Sequence, residues 1–317
     1  MRYVLLGRTG VRVSEVCLGT MTFGNEADET ASVAIMDRAV ELGVNFFDTA
    51  NVYNGGLTEE IVGRWLVAHR EEIVLATKAH FPSGPGPNER GSSRRHLRLS
   101  VEQSLRRLKT DWIDVLYLHH WDDDADLLET LRALNDLVRE GKVLYPAVSN
   151  FAAWQLVKAV QLCEREGLAR IAAVQPMYNL LKRQAEVEIL PAAASEGVAV
   201  FPYNPLGAGM LTGKYLKGQT GRLSRNQMYQ RRYGDPDYNE IVRRFVAYAE
   251  KRSVSPAALA VAWVNAHPSV TASIVGARNV DQLNDTLGCL DIELSAEEWA
   301  EIGALAPEPP LATDRER

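Results

Sequence analysis

The sequence predicts an α/β chain folded as a closed (β/α)8 TIM barrel, with an N-terminal β-hairpin and a C-terminal extension. Three observations lead there. Short apolar runs alternate with longer segments of helical period, and eight such β-α units follow one another along the chain. The runs are apolar at consecutive positions, as parallel strands buried on both faces require. No Pro/Gly-rich linker separates the units, because PSGPGPNERG (82–91) falls inside one β-α loop. Eight units suit a closed barrel better than an open sheet, and residues 1–317 are expected to form a single domain.

The opening YVLLG-RTG-VRVS reads as a hairpin turning at Thr9-Gly10, placed to plug the barrel bottom. VRVSEVCLG then leads into an amphipathic helix from Thr30 to Leu42, stopped by Gly43. VNFFD precedes a helix opened by Thr58-Glu59-Glu60, acids that suit the positive end of the dipole. IVLATK (73–78) precedes a basic helix at 94–109, and IDVLYLHH (113–120) a helix opened by the acids at 122–126 and closed by Gly141. VLYPAVSN (143–150) precedes a helix carrying Trp154, Leu156 and Val160, and IAAVQ (171–175) one through Glu186 and Leu190. VAVFPY (198–203) leads into a long loop and a helix near 239–252, and ASIVG (272–276) into a last helix at 279–288.

Composition narrows the function. Of 317 residues, 46% are hydrophobic and 24% charged, as in ordinary globular proteins. Lys and Arg number 35 against 41 Asp and Glu, a net charge of −6, which argues against a nucleic-acid partner. No apolar run reaches the roughly 18 residues that span a bilayer, and MRYVLLGRTG turns polar too soon for a signal peptide. Cys17, Cys163 and Cys289 are odd in number and far apart, as buried thiols of a reducing compartment would be. A cytoplasmic protein with no membrane partner is expected.

Barrel chemistry sits at the C-terminal ends of the strands. Those ends carry Gly19-Thr20, Asp48, Lys78, His119, Ser149-Asn150, Gln175, Tyr203 and Gly276. Seven of the eight offer a side chain that ionises or hydrogen-bonds, more than helix capping explains. Asp48, Lys78 and His119 end neighbouring strands, and Tyr53 follows Asp48 closely enough to join them. A free tyrosine loses its proton near pH 10. A lysine ammonium beside it would lower that value, a carboxylate would hold the lysine charged, and a histidine could polarise a carbonyl.

In these residues the sequence resembles the aldo-keto reductases. The matching motifs are LGTMTFG (18–24), FFDTANVYNGG (46–56), ATK (76–78), DVLYLHH (114–120), VSNF (148–151), VQPMYN (174–179), YNPLGAGMLTGKY (203–215) and IVGARNVDQL (274–283). The branch is similar to bacterial reductases related to potassium-channel β-subunits and aryl-alcohol dehydrogenases. The resemblance implies reduction of an aldehyde or ketone with NADPH, and a tetrad of Asp48, Tyr53, Lys78 and His119. It assigns the cofactor to Gly19, Thr20, Met21, Asp48, Ser149, Asn150, Gln175, Tyr203, Asn204, Pro205, Leu206, Gly207, Gly209, Leu211, Lys214, Gly276, Ala277, Arg278 and Gln282. Ser149, Asn150 and Gln175 would hold the carboxamide, Tyr203 would stack on the nicotinamide, and Arg278 would take the 2′-phosphate. Phe23, Tyr53 and Trp121 would line the substrate pocket. The sequence departs from the family at Asn204, Val275, Thr286 and the pair Tyr145-Pro146, the last of these without functional account.

Other chemistries find less support. GAGMLTGKY has Ala208 where a P-loop needs its first Gly, and no G-x-S-x-G or H-E-x-x-H occurs. The acids 122–124 lack the glycine and glutamate of a calcium loop, so no metal is expected. A barrel aldolase using Lys78 as Schiff-base amine would leave Ser149, Asn150, Gln175, Tyr203 and Arg278 idle. A regulatory subunit that binds cofactor with slow turnover is the other alternative. The natural substrate and the oligomeric state are not legible in the sequence.

Overall fold

The computed structural model describes residues 1–313. Tyr3–Leu5 (β1) and Arg12–Ser14 (β2) pair antiparallel, with Tyr3 opposite Ser14. Leu6 and Val13 are fully buried, packed with Cys17, Phe46, Tyr117, Ala173 and Phe201 in the barrel interior. The hairpin thus plugs the bottom, as expected. Gly7 sits there at φ 53°, its α-carbon so near the Ala172 carbonyl that a β-carbon would lie 3.0 Å from the oxygen.

Eight parallel strands follow: Val16–Gly19 (β3), Phe46–Asp48 (β4), Val74–Ala79 (β5), Ile113–Leu118 (β6), Val143–Ser149 (β7), Ala173–Gln175 (β8), Ala199–Val200 (β9) and Ser273–Val275 (β10). Their order is β10-β3-β4-β5-β6-β7-β8-β9. The ring closes where Thr271 N donates to Val200 O (2.9 Å) and Ile274 N to Pro202 O (2.8 Å). The register sets Gly19 beside Asp48, Lys78 beside Tyr117 and Ser149 beside Gln175. Polar strand ends therefore meet at one rim. The expected strand 198–203 shrinks to two residues, because Pro202 has no N–H for the ladder. Tyr203 rejoins it as a bridge between Met177 and Ile274.

The helices are Glu29–Glu41 (α1), Leu57–Leu66 (α2), Arg94–Leu108 (α3), Leu127–Arg139 (α4), Ala153–Glu166 (α5), Ile189–Glu196 (α6), Arg222–Arg225 (α7), Gln227–Tyr233 (α8), Asp237–Lys251 (α9), Pro256–Asn265 (α10), Val280–Leu287 (α11) and Ala296–Gly303 (α12). Local chemistry explains several starts. Asp28 accepts from Ala31 N (2.8 Å), and Asp126, the last of the acids at 122–126, from Glu129 N (2.9 Å); both bonds satisfy otherwise orphaned donors. Four helices escape the periodicity reading, α7, α8, α10 and, in the C-terminal extension, α12. The loop after residue 203 contains α7 and α8. Helix α10 is buried at every position from Ala257 to Val264, so it shows no polar face and no amphipathic period. Its boundary was nonetheless written in Ser255, which accepts from Ala257 N (3.1 Å), and in Pro256 at the first turn.

Gly63 allows α2 to touch α3. A β-carbon there would run into the Arg107 carbonyl and the Leu108 backbone. Overpacking a tight contact costs typically 1–3 kcal/mol. Gly63→Ala is therefore expected to lower stability by about that amount, read as a lower urea midpoint with an unchanged m-value. An unshifted midpoint would show that the two helices separate freely.

Candidate active site

The ends of β4, β5 and β8 build a buried polar cluster. Asp48 and Lys78 are 3% and 1% exposed, too dry for either charge to stand alone. Lys78 Nζ donates to Asp48 Oδ1 (2.5 Å), to Thr49 O (2.7 Å) and to the Tyr53 hydroxyl (3.3 Å). Gln175, from the far side of the barrel, donates to Asp48 Oδ2 (2.9 Å). Tyr53 reaches the cluster because a short turn, Tyr53–Gly56, follows β4, with Asn54 and Gly55 in left-handed conformations. Asn54 Nδ2 ties that turn to Phe23 O (2.7 Å) and Thr58 Oγ1 (3.1 Å).

Burial works against the Lys78 charge, but Asp48 and Tyr53 outweigh it and hold the ammonium above its ordinary pKa. For Tyr53 the balance differs from the sequence expectation. Burial raises its pKa, Lys78 lowers it and Asp48 raises it again, and the net shift is upward. The phenol keeps its proton in the free protein. The neighbouring lysine offsets only part of the cost of a phenolate in these surroundings.

His119 packs edge-on to Tyr53, ring centres 6.1 Å apart. Burial and then Lys78 hold its imidazole well below the usual histidine value, so the ring is neutral, and its buried Nδ1 has no protein partner. Phe81 stands edge-on to His119 at 4.7 Å. This residue was missed, since nothing in HFPSGPG marks it except an aromatic ring three residues after Lys78. Trp121, half-buried, packs on Phe151 and Trp154 and donates to Asp123 Oδ1 (2.7 Å). Phe23 departs from expectation. It is fully buried in the packing of α1 and α2 and presents no surface at the mouth.

A second group lies beside the first. Tyr203 OH donates to Asn150 Oδ1 (2.8 Å), Asn150 Nδ2 to His119 O (3.0 Å) and Ser149 Oγ to Gln175 O (3.0 Å). This set is joined to the tetrad through Gln175 and His119. Asn204 turns inward: it donates to Tyr233 OH (2.7 Å) and accepts from Ala208 N (2.7 Å). Gly207, Ala208 and Gly209 then run consecutively at positive φ. Pro205, Gly207, Leu211, Thr20 and Ala277 are buried, whereas Met21 and Gly276 are exposed and Leu206 is half-buried. Gly19 is needed for packing, because a β-carbon would lie 2.7 Å from Ile274 Cγ2.

Farther along the rim three cations gather. Arg222 donates to Glu26 Oε1 (3.1 Å), and Arg278 lies 3.9 Å from Glu26 Oε2. Burial and the charges of Arg278 and Arg222 together pull Lys214 below its ordinary pKa. Gln282 folds back to accept from Arg278 N (3.2 Å) at the start of α11. Lys214, Arg278 and Gln282 were expected; Arg222 was not, being one of several arginines in a loop with no visible period. Three cations facing one carboxylate leave an excess of positive charge that suits an anion.

The arrangement couples a shielded proton donor to a basic trough at the open end of a barrel. The chain matches the model of the aldo/keto reductase family over residues 15–307. It is 41% identical to the uncharacterized oxidoreductase YrpG of Bacillus subtilis, over 98% of this chain and 97% of that protein. It is 35% identical to norsolorinic acid reductase A of Aspergillus parasiticus, over 96% and 80%. It is also 35% identical to a probable voltage-gated potassium channel subunit beta of Arabidopsis thaliana, over 92% of each. The chain belongs to the aldo/keto reductase family, and by class it is an oxidoreductase. Among the described residues no helix is long and apolar enough to cross a membrane.

The neutral His119 has a consequence for stability. An unfolded histidine titrates near pH 6.5, whereas the folded ring resists its proton to a much lower pH. The unfolded state therefore binds more protons below pH 6.5, and stability falls as the pH drops through that point. His119 contributes at most about 1.4 kcal/mol per pH unit. Urea midpoints of the wild type and His119→Gln between about pH 7.5 and 5.5 are expected to differ by that slope. Parallel profiles would show that the ring protonates equally in both states.

Proposed function

We propose that the protein reduces an aldehyde or ketone to the alcohol with NADPH, using Tyr53 as general acid. The observation that carries this reading is Lys78 Nζ held between Asp48 and the Tyr53 hydroxyl at 2.5 and 3.3 Å. When bound, the reduced nicotinamide supplies a hydride to the carbonyl carbon. Tyr53 gives its proton to the carbonyl oxygen, and Lys78 stabilises the phenolate that remains. Asp48 keeps Lys78 charged and aimed. The neutral imidazole of His119 orients the carbonyl oxygen without competing as a strong acid, and Phe81 walls the substrate.

The residues fit the cofactor. Ser149, Asn150 and Gln175 would hold its carboxamide, and Tyr203 would lie against its nicotinamide. The left-handed run at 207–209 would follow the pyrophosphate, where successive backbone N–H groups favour anions. Gly209 supports this reading, since a β-carbon there would lie 2.7 Å from Lys214 Nζ. Arg278, Arg222 and the N-terminal end of α11 would take the 2′-phosphate. The protonation of Lys78 disfavours the aldolase alternative, because a Schiff-base lysine must attack as the free amine. Substrate identity rests with the loops bearing Phe81 and Trp121. The basic surface supports NADPH over NADH, and the protein is placed in the cytoplasm on its thiol content alone.

Two experiments test the reading. Tyr53→Phe keeps the ring and removes the acid, so carbonyl reduction is expected to fall by about 10²–10⁴-fold, with NADPH binding by fluorescence titration intact. Turnover close to wild type would refute the assignment of the acid. Arg278→Ala removes charge-assisted bonds to a phosphate that NADH lacks. Such bonds are worth about 1.5–3 kcal/mol, so NADPH should bind about ten- to a hundredfold more weakly and NADH almost as before. Equal losses for both cofactors would transfer the preference to Lys214 and Arg222.

A further inference from the structure

The end of the barrel opposite the Tyr53 mouth holds a cavity of about 280 Å³. It is framed by Arg8 and Thr9 of the plugging hairpin, Tyr145 and Pro146 of β7, and Arg170 and Gly197 below β8 and β9. Tyr145-Pro146 is the departure from the family pattern to which carbonyl reduction gives no role. The walls are apolar at Leu144, Pro146, Ile171 and Ala172, and the charged groups in the lining, Arg8 and Arg170, are both cationic, beside the neutral Thr9 and Tyr145.

The two guanidiniums are not equivalent. Arg170 pairs with Glu164 and donates to the Glu196 carbonyl (2.5 Å) at the end of α6. Among the described residues Arg8 has no hydrogen-bond or ion-pair partner. Its guanidinium rests against Gly197, at φ 65°, in the place a side chain there would occupy. A glycine at a helix C-terminus is common for its left-handed backbone, and here it also seats Arg8 at the cavity edge. The Glu196 carboxylate accepts from Gln161 (3.5 Å), and neither it nor Glu164 lines the cavity. A fork of free donors above an apolar pocket matches an anion with an apolar body.

We propose that this cavity binds a small organic anion, its carboxylate or phosphate on Arg8 and its apolar or aromatic body against Tyr145 and Pro146. Liquid water takes about 30 Å³ per molecule, so the space equals roughly nine waters and admits a single substituted ring. The site lies at the barrel face that does not carry the strand-end chemistry, and it is independent of the reductase reading.

The test is calorimetric titration with benzoate and with phenyl phosphate, with benzyl alcohol as the neutral probe, each with and without NADPH. One anion is expected to bind with one-to-one stoichiometry, unaffected by NADPH and weakened by salt; the tighter of the two identifies the headgroup. Benzyl alcohol is expected not to bind. Arg8→Ala should weaken the anion about ten- to a hundredfold. Leu144→Glu, which places a carboxylate at an exposed rim position, should weaken it too, while Arg278→Ala leaves it unchanged. Arg8 and Leu144 are both exposed, and circular dichroism confirms that the variants fold. Competition by NADPH, or loss of binding in Arg278→Ala with retention in Arg8→Ala, would assign the anion to the mouth and overturn the proposal. Equal binding of benzyl alcohol, or no binding of either anion, would overturn it as well.

Discussion

Almost everything at the mouth of this barrel depends on one buried ion pair, Asp48 with Lys78. Removing two charges from water costs several kcal/mol per ion, and mutual attraction repays that only when the remaining donors and acceptors are satisfied. Here they are. Lys78 spends its other protons on Thr49 O and the Tyr53 hydroxyl, and Asp48 takes a second bond from Gln175. Gln175 belongs to a strand on the other side of the ring, so the pair is complete only when the barrel is closed. Fold and site are therefore not separable.

The pair also orders the protonation states around it. Burial and the Asp48 charge keep Cys17 and Tyr117, inside the barrel below it, well above their ordinary pKa values. Burial and the Lys78 charge keep His119 neutral above it. Lys78 is thus a fixed positive charge at the centre of the mouth, and the hydroxyl it touches is that of Tyr53. On the far rim, Lys214, Arg222 and Arg278 share a single carboxylate, Glu26. An anionic ligand arriving there would relieve the mutual repulsion of the cations while leaving the buried pair undisturbed. The buried pair and the cationic rim are thus two distinct electrostatic centres, and Tyr203, bonded to Asn150, is tied to the first through His119.

Much of this architecture was legible residue by residue. Asp48, Lys78, His119 and Gln175 could be found because each terminates an apolar run, and a parallel barrel directs all such ends to one face. The hairpin plug was legible in Thr9-Gly10 between two short β-rich runs. Helix α10 was not, since a segment buried on all sides has no polar stripe to reveal its period. Phe23 and Trp121 were expected at the pocket because an aromatic ring near a catalytic strand end is a reasonable wall. Whether it becomes one depends on which way its loop turns, and Phe23 turned into the α1–α2 packing.

The sequence by itself determined the alternation of strands and helices, the acids at 122–126 that open a helix, and the chemical identity of the strand ends, because these are local consequences of side-chain period and hydrogen-bonding capacity. Only the tertiary structure decided that Phe81 would stand against His119, and that Arg222 would join Lys214 and Arg278 across a loop without period. It also decided the direction in which Tyr53 shifts. A lysine beside a tyrosine implies a lowered pKa when the two are considered alone. In the folded barrel the same tyrosine also meets the Asp48 carboxylate and a low-dielectric wall, and their sum runs the other way. Burial is a property of the whole packed chain, so no local stretch of sequence could have stated it.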